Sequence, residues 1–256
     1  MAKSFPPGQC VHCLSHFDNL TSDHVFPRSW YPNSTPDNLE KWQVPACRKC
    51  NQDYGKLEED LLYRIGLCID GDTDASSGIP EKVGDALNPK RGKNQRDESI
   101  RLAKALKILS ASVPLTELSN FEIHTKDPAK LGAPIDIQQL TRFCKKIVRG
   151  LIWLELNRFI DTKYKICVDV MAKESPDFDA LIELGQIYTA GPGLEVKWNK
   201  TIEDPICGVF AVKIFGLIKL HAWVIPADLK PDNAPNAISP VFSTASMDES
   251  PRTPDP

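Results

Sequence analysis

Two C-x-x-C pairs, Cys10 and Cys13 in "CVHC" and Cys47 and Cys50 in "CRKC", place four thiols in the first fifth of the chain. Four soft sulfur donors suit a closed tetrahedral shell around zinc. The pairs are 33 residues apart, farther than in a simple zinc ribbon. A segment is therefore inserted between them, and it carries "TSDHVFPRSW", with Asp23 and His24 side by side. Asn51 directly follows Cys50. Hydrolysis of a phosphodiester needs a base for water and a cation for the charge on phosphate. A hard cation such as magnesium prefers oxygen donors and needs only one or two protein ligands, for which Asp23 and the Asn51 side-chain oxygen serve.

The order "C-x-x-C", "SDHVFP" and "VPACRKCN", with a helix following, resembles the HNH (His-Me finger) endonucleases whose ββα-metal core is stapled by zinc, in the variant with asparagine as third motif residue. It is similar there to the phage Holliday-junction-resolving branch and to bacterial HNH proteins. The resemblance covers roughly the first quarter of the chain. It implies that His24 is the general base, that Asp23 and Asn51 hold one catalytic magnesium or manganese, and that Cys10, Cys13, Cys47 and Cys50 hold a structural zinc remote from the chemistry. It also implies DNA as substrate ahead of RNA, in restriction or phage defence. The family's middle asparagine, which restrains the loop bearing the base, has no residue in its usual register. Asn38 in "PDNLEKW" takes that role, with Gln43 as the other candidate.

Further residues carry weaker expectations. Arg28, Arg48 and Lys56 are placed to contact phosphates, which is how a chain of net charge −3 can still grip DNA. Glu58, seven residues beyond Asn51, falls on the same helical face and either supports the metal through water or is simply exposed. His12 and His16 lie in or beside the first knuckle, as alternative ligands or as surplus. His124 and His221 read as structural, and Cys68, Cys144, Cys167 and Cys207 as core. Trp30, Tyr31 and Trp42 suit core packing better than base stacking.

The elements that must position these groups follow from patterning. The two knuckles joined by metal require the intervening chain to go out and return as a hairpin. A helix from Asn51 then buries Leu57, Leu61, Leu62 and Ile65. Residues 71–95, rich in Asp, Ser, Gly and Pro, read as a linker. "DESIRLAKALKILSASV" predicts a helix with Ile100, Ala103, Leu106 and Leu109 on its apolar face. "DIQQLTRFCKKIVRGLIWLELNRFI" predicts a longer one with Leu140, Phe143, Ile147, Leu151, Leu154 and Phe159 inward, Arg142, Lys145, Lys146 and Arg149 on its wet side, and a kink at Gly150. "YKICVDVMA", "GLEVKWNK", "CGVFAVKIFG" and "LIKLHAWVIP" read as strands, and "DFDALIELGQIY" as a short helix.

The fold class is thus α+β: a zinc-stapled ββα-metal core over residues 1–70, an α+β accessory module over 96–226 that sets target choice or assembly with a protein partner or a second copy, and a disordered tail over 227–256. Eight cysteines, no apolar run long enough to span a bilayer and no signal-peptide pattern predict a cytoplasmic protein without a membrane partner. The competing reading is a zinc-stabilised nucleic-acid-binding or adaptor module without hydrolysis; an RNA-cleaving toxin is a third.

Overall fold

A computed structural model of the chain describes residues 4–114, 131–170 and 176–229. Strands β1 (Ser4–Phe5), β2 (Gly8–Gln9) and β3 (His16–Phe17) surround the first knuckle, and β4 (Leu20–His24) pairs antiparallel with β5 (Gln43–Ala46). The expected hairpin is therefore present, with β1 on its outer edge in the order β1-β4-β5. Its long connection carries a 3-10 turn at Arg28–Trp30. Helix α1 (Arg48–Gly66) starts one residue after β5 and Cys47, and buries Leu57, Leu61, Leu62 and Ile65 as the spacing required.

Residues 71–95 are not only a linker. They hold α2 (Ile79–Leu87), whose Ile79, Val83 and Leu87 are all buried. At nine residues, α2 is too short for its apolar spacing to stand out among the turn-formers before it. Helix α3 (Gln95–Ala111) forms where expected, with the Asn94 side chain accepting from the Asp97 amide at its start. Its orientation is the reverse of the periodic reading: Ile100, Leu106 and Leu109 are exposed, and Ile108 is the residue it buries. Arg101 donates to the Asp85 and Ala86 carbonyls, and Lys104 and Lys107 reach Glu59 and Asp60 of α1. Polar anchors rather than the apolar stripe choose the face.

The short pair β6 (Val113–Pro114) and β7 (Leu131–Gly132) precedes α4 (Ile137–Leu156), with Phe143, Ile147 and Leu151 fully buried. A five-stranded antiparallel sheet follows, in the order β8-β12-β11-β10-β9, from β8 (Tyr164–Asp169), β9 (Gln186–Gly191), β10 (Leu194–Lys200), β11 (Gly208–Ile214) and β12 (Ile218–Pro226). Helix α5 (Pro176–Glu183) lies between β8 and β9 in sequence, and its Phe178 and Ile182 pack on Val209 and Ile225. "GQIY", read as the end of this helix, is instead the start of β9, because Glu183 ends the helix and the chain pairs with β10.

Side-chain alternation along β11 and β12 sends Phe210, Val212, Ile214, Leu220, Ala222 and Val224 toward α4. The same apolar cluster takes in Val25, Phe26 and Trp30 of the hairpin connection. Trp30 is wholly buried, its ring 4.6 Å from Phe143 and 5.7 Å from Phe215. The knuckle unit and the C-terminal sheet thus share one core. Gly150 does not interrupt α4. A Cβ there would lie 2.6 Å from Val25 Cγ2, so the glycine lets α4 press directly on the chain leaving β4. The tail from residue 230 onward and His124 lie outside the described residues.

Candidate functional site

The two knuckles converge. Sulfur atoms of Cys10, Cys13, Cys47 and Cys50 lie within 4.8 Å of one another, and Cys13 and Cys47 are 4.0 Å apart. Tetrahedral zinc with Zn–S bonds of ~2.3 Å separates sulfurs by roughly 3.8 Å, so the cluster fits a structural metal such as zinc. Cys47 also caps α1, its sulfur accepting from the Cys50 amide. Burial pushes the Cys13 thiol up, but hydrogen bonds from the Ser15 backbone, Ser15 hydroxyl and neighbouring thiols outweigh it and bring it down to about 7. One ligand is thereby ready to ionise near neutral pH.

Strand β4 carries Asp23 and His24 away from this cluster, with Asp23 opposite Val44 and His24 opposite Gln43. Gln43 accepts from Ser22, two residues before His24 and on the same side of the sheet. Asn38 is exposed in the connecting turn, so Gln43 and not Asn38 stands against β4 beside His24. Asn51, in the first turn of α1, spends its amide nitrogen on the hairpin, donating to Thr21 Oγ1 at 2.9 Å and the Ser22 carbonyl at 3.1 Å. It pins the helix to the strand.

Asp23 is only 4% exposed and both its oxygens are engaged. His12 Nε2 lies 2.7 Å from Oδ2, and Lys146 Nζ of α4 lies 3.2 Å from Oδ1. Lys146 is fully buried and donates also to Glu58 Oε1 and to the His24 backbone carbonyl. Burial alone would raise the Asp23 carboxyl, but the His12 hydrogen bond and the Lys146 charge hold it below its ordinary pKa. Glu58 goes the other way: burial lifts it despite Lys146, with Asp23 adding to the rise. Burial also depresses the His12 pKa, with Asp23 opposing; facing a carboxylate oxygen, Nε2 donates, and Nδ1 is buried without a partner among the described residues. Tyr54 covers that ring at 4.6 Å.

His24 is half-buried, and its pKa falls below 6.5 through burial and the nearby charge of Arg28, with Lys146 and Lys41 adding to the effect and Asp23 opposing it. A neutral imidazole ringed by cations can take a proton and sit beside an anion. Of the other basic candidates, Arg28 and Arg48 are exposed on the connection and at the start of α1. Lys56 lines a cavity of about 360 Å³ together with Arg142, Lys104 and Lys107, of which the two lysines are paired with Glu59 and Asp60.

The expected magnesium or manganese on Asp23 and Asn51 does not fit this arrangement. Both Asp23 oxygens already have partners, an ammonium stands against one of them, and the Asn51 side chain is tied to the hairpin through its amide nitrogen. Sequence reasoning put Lys146 on the wet side of α4 and read His12 as an alternative zinc ligand or as surplus, not as a partner of Asp23. The signal it had for Glu58, the shared face with Asn51, was real but gave no partner.

No family model, curated protein or solved structure matches the chain significantly. Among the described residues, no helix is long and apolar enough to cross a membrane.

Proposed function

We propose that this chain is an HNH-type endonuclease that hydrolyses phosphodiester bonds in DNA, with His24 as general base. The observation that carries this reading is the half-exposed His24 at the end of hairpin strand β4, a strand that Asn51 of α1 ties down beside a four-thiol cluster able to hold a metal. In the step envisaged, a ring nitrogen of His24 takes a proton from water, the water oxygen bonds phosphorus, and the bond from phosphorus to the 3′ oxygen breaks with its electron pair on that oxygen. The leaving oxygen then takes a proton from solvent. Arg28 and Lys41, whose charges bear on His24, would hold the phosphate. Gln43 steadies the strand bearing the base through Ser22.

The second reading, a zinc-stapled nucleic-acid-binding module without hydrolysis, is favoured by one observation: Asp23 is saturated by His12 and Lys146. Nicking of supercoiled plasmid separates the two, with single-stranded DNA and RNA as further substrates. The endonuclease reading expects cleavage by the zinc-loaded chain and its loss in a His24→Ala variant that keeps zinc. Binding without cleavage of any substrate would leave the adaptor.

A further inference from the structure

The surroundings of Lys146 have the composition of a cation site. Three oxygens converge on one fully buried positive charge: a carboxylate oxygen of Asp23, a carboxylate oxygen of Glu58 and the main-chain carbonyl of His24. Carboxylates and backbone carbonyls are the donors that hard divalent cations take. An ammonium has three N–H donors, and these three oxygens use all of them. We propose that Lys146 is the resident cation of this site, so that Asp23 and Glu58 hold a tethered ammonium in place of a divalent ion.

Charge and packing both support exclusivity. The ammonium is wholly buried and already pairs with both carboxylates, which are themselves almost entirely shielded from water. Adding a divalent ion a few ångströms from the ammonium would set like charges together where water cannot screen them. The lysine is also not a loose side chain that happens to fall inward. It projects from the third turn of α4, one turn before Gly150, where the missing side chain allows the helix backbone to press against Val25 directly after His24. Helix α4 is itself anchored on the sheet through Phe143, Ile147 and Leu151. With its donors spent and no exposure, Lys146 does not touch substrate. It is a positioning residue that fixes the His24 main chain and orients Asp23. The chemical part of this inference rests on the endonuclease reading; the cation-binding part does not.

The test uses the zinc-loaded full chain and Mn2+ as probe, read by paramagnetic loss of the Asp23 and His24 amide signals in NMR spectra. In the wild type these signals are expected to persist as Mn2+ is added. In Lys146→Gln, or in Lys146→Met as a second volume-filling variant, the vacated oxygens are expected to take the ion, with loss of both signals and a rise in melting temperature on adding Mn2+ that the wild type does not show. Placing Asp23→Asn in the same background should abolish both effects. Loss of the two signals in the wild type overturns the proposal, and so does their persistence in a folded Lys146 variant. If neither variant folds, the wild-type spectrum still decides whether Asp23 recruits a divalent ion. Plasmid nicking by the same wild-type sample, with no divalent ion beyond its zinc, is the separate readout. A chain that cuts nothing under any condition sinks the endonuclease reading and leaves the binding result standing.

Discussion

Lys146 Nζ lies 3.2 Å from Asp23 Oδ1, tying α4 to strand β4 through a buried pair of charges. The lysine also satisfies Glu58, so removing it strands two acids in the interior. Lys146→Ala is expected to cost about 3–5 kcal/mol, the range for breaking a buried ion pair from one side. Urea denaturation of Lys146→Ala, Asp23→Asn and the double variant measures it. The double variant should lose less than the sum of the two singles, because neither leaves the other unpaired.

Gly150 is a helical glycine at which alanine is expected to destabilise. On an open helix the change would gain about 1 kcal/mol of helix propensity. Here the new methyl would lie 2.6 Å from a Val25 methyl inside the core. Overpacking of this kind costs about 1–3 kcal/mol, so the net effect is a loss or at best no gain. A lower denaturation midpoint together with shifted Asp23 and His24 amide resonances is the expected result. A clear gain in stability would show that α4 does not press on the hairpin.

Asn51 separates two roles by a conservative change. Its amide donates twice to the hairpin, to Thr21 Oγ1 and the Ser22 carbonyl. Asn51→Asp would set a carboxylate oxygen against that carbonyl and is expected to destabilise the fold by about 1–3 kcal/mol, the cost of an unsatisfied buried partner. Were the residue chiefly a ligand for a divalent ion, the same change would strengthen metal binding instead. Denaturation with and without Mg2+ reads both.

The four-thiol cluster joins the start of the hairpin to the start of α1, so a metal there contributes to folding as well as to local geometry. One zinc per chain is expected by elemental analysis. Cys47→Ser should reduce that content and, because its sulfur also caps α1, lower the melting temperature more than Cys13→Ser, whose side chain is exposed.

His221 gives a pH signature independent of the candidate site. Burial pulls its pKa below 6.5, with Asp179 and Asp169 opposing, and its ring stacks 4.0 Å from Phe178. The unfolded chain therefore binds this proton more readily than the fold does. The contribution to stability is complete above pH 6.5 and is lost as pH falls from there through the depressed folded value. Denaturation midpoints across that interval should fall less steeply in His221→Gln than in the wild type.

Much of the hairpin and helix that frame the candidate site was legible in the residues themselves. Cys10, Cys13, Cys47 and Cys50 carry their meaning in local spacing, and that spacing forces the chain between them to return on itself. The apolar stripes of α1 and α4 and the alternation in β10, β11 and β12 were likewise readable, since period and burial are linked within each element. The face of α3 was not, because its partners are carbonyls of α2 and acids of α1 that no pattern within α3 reveals.

By itself the sequence determined that four thiols would meet, that Asp23 and His24 would stand on the hairpin between them, and that Asn51 would open the helix behind. Only the tertiary structure decided what Asp23 holds. Periodicity puts Lys146 among the polar residues of α4, yet the docking of that helix through Gly150 turns it inward onto Asp23 and Glu58. A buried charge takes its place from partners on other elements, since the cost of leaving water is met only by opposite charges and hydrogen bonds brought there by the fold.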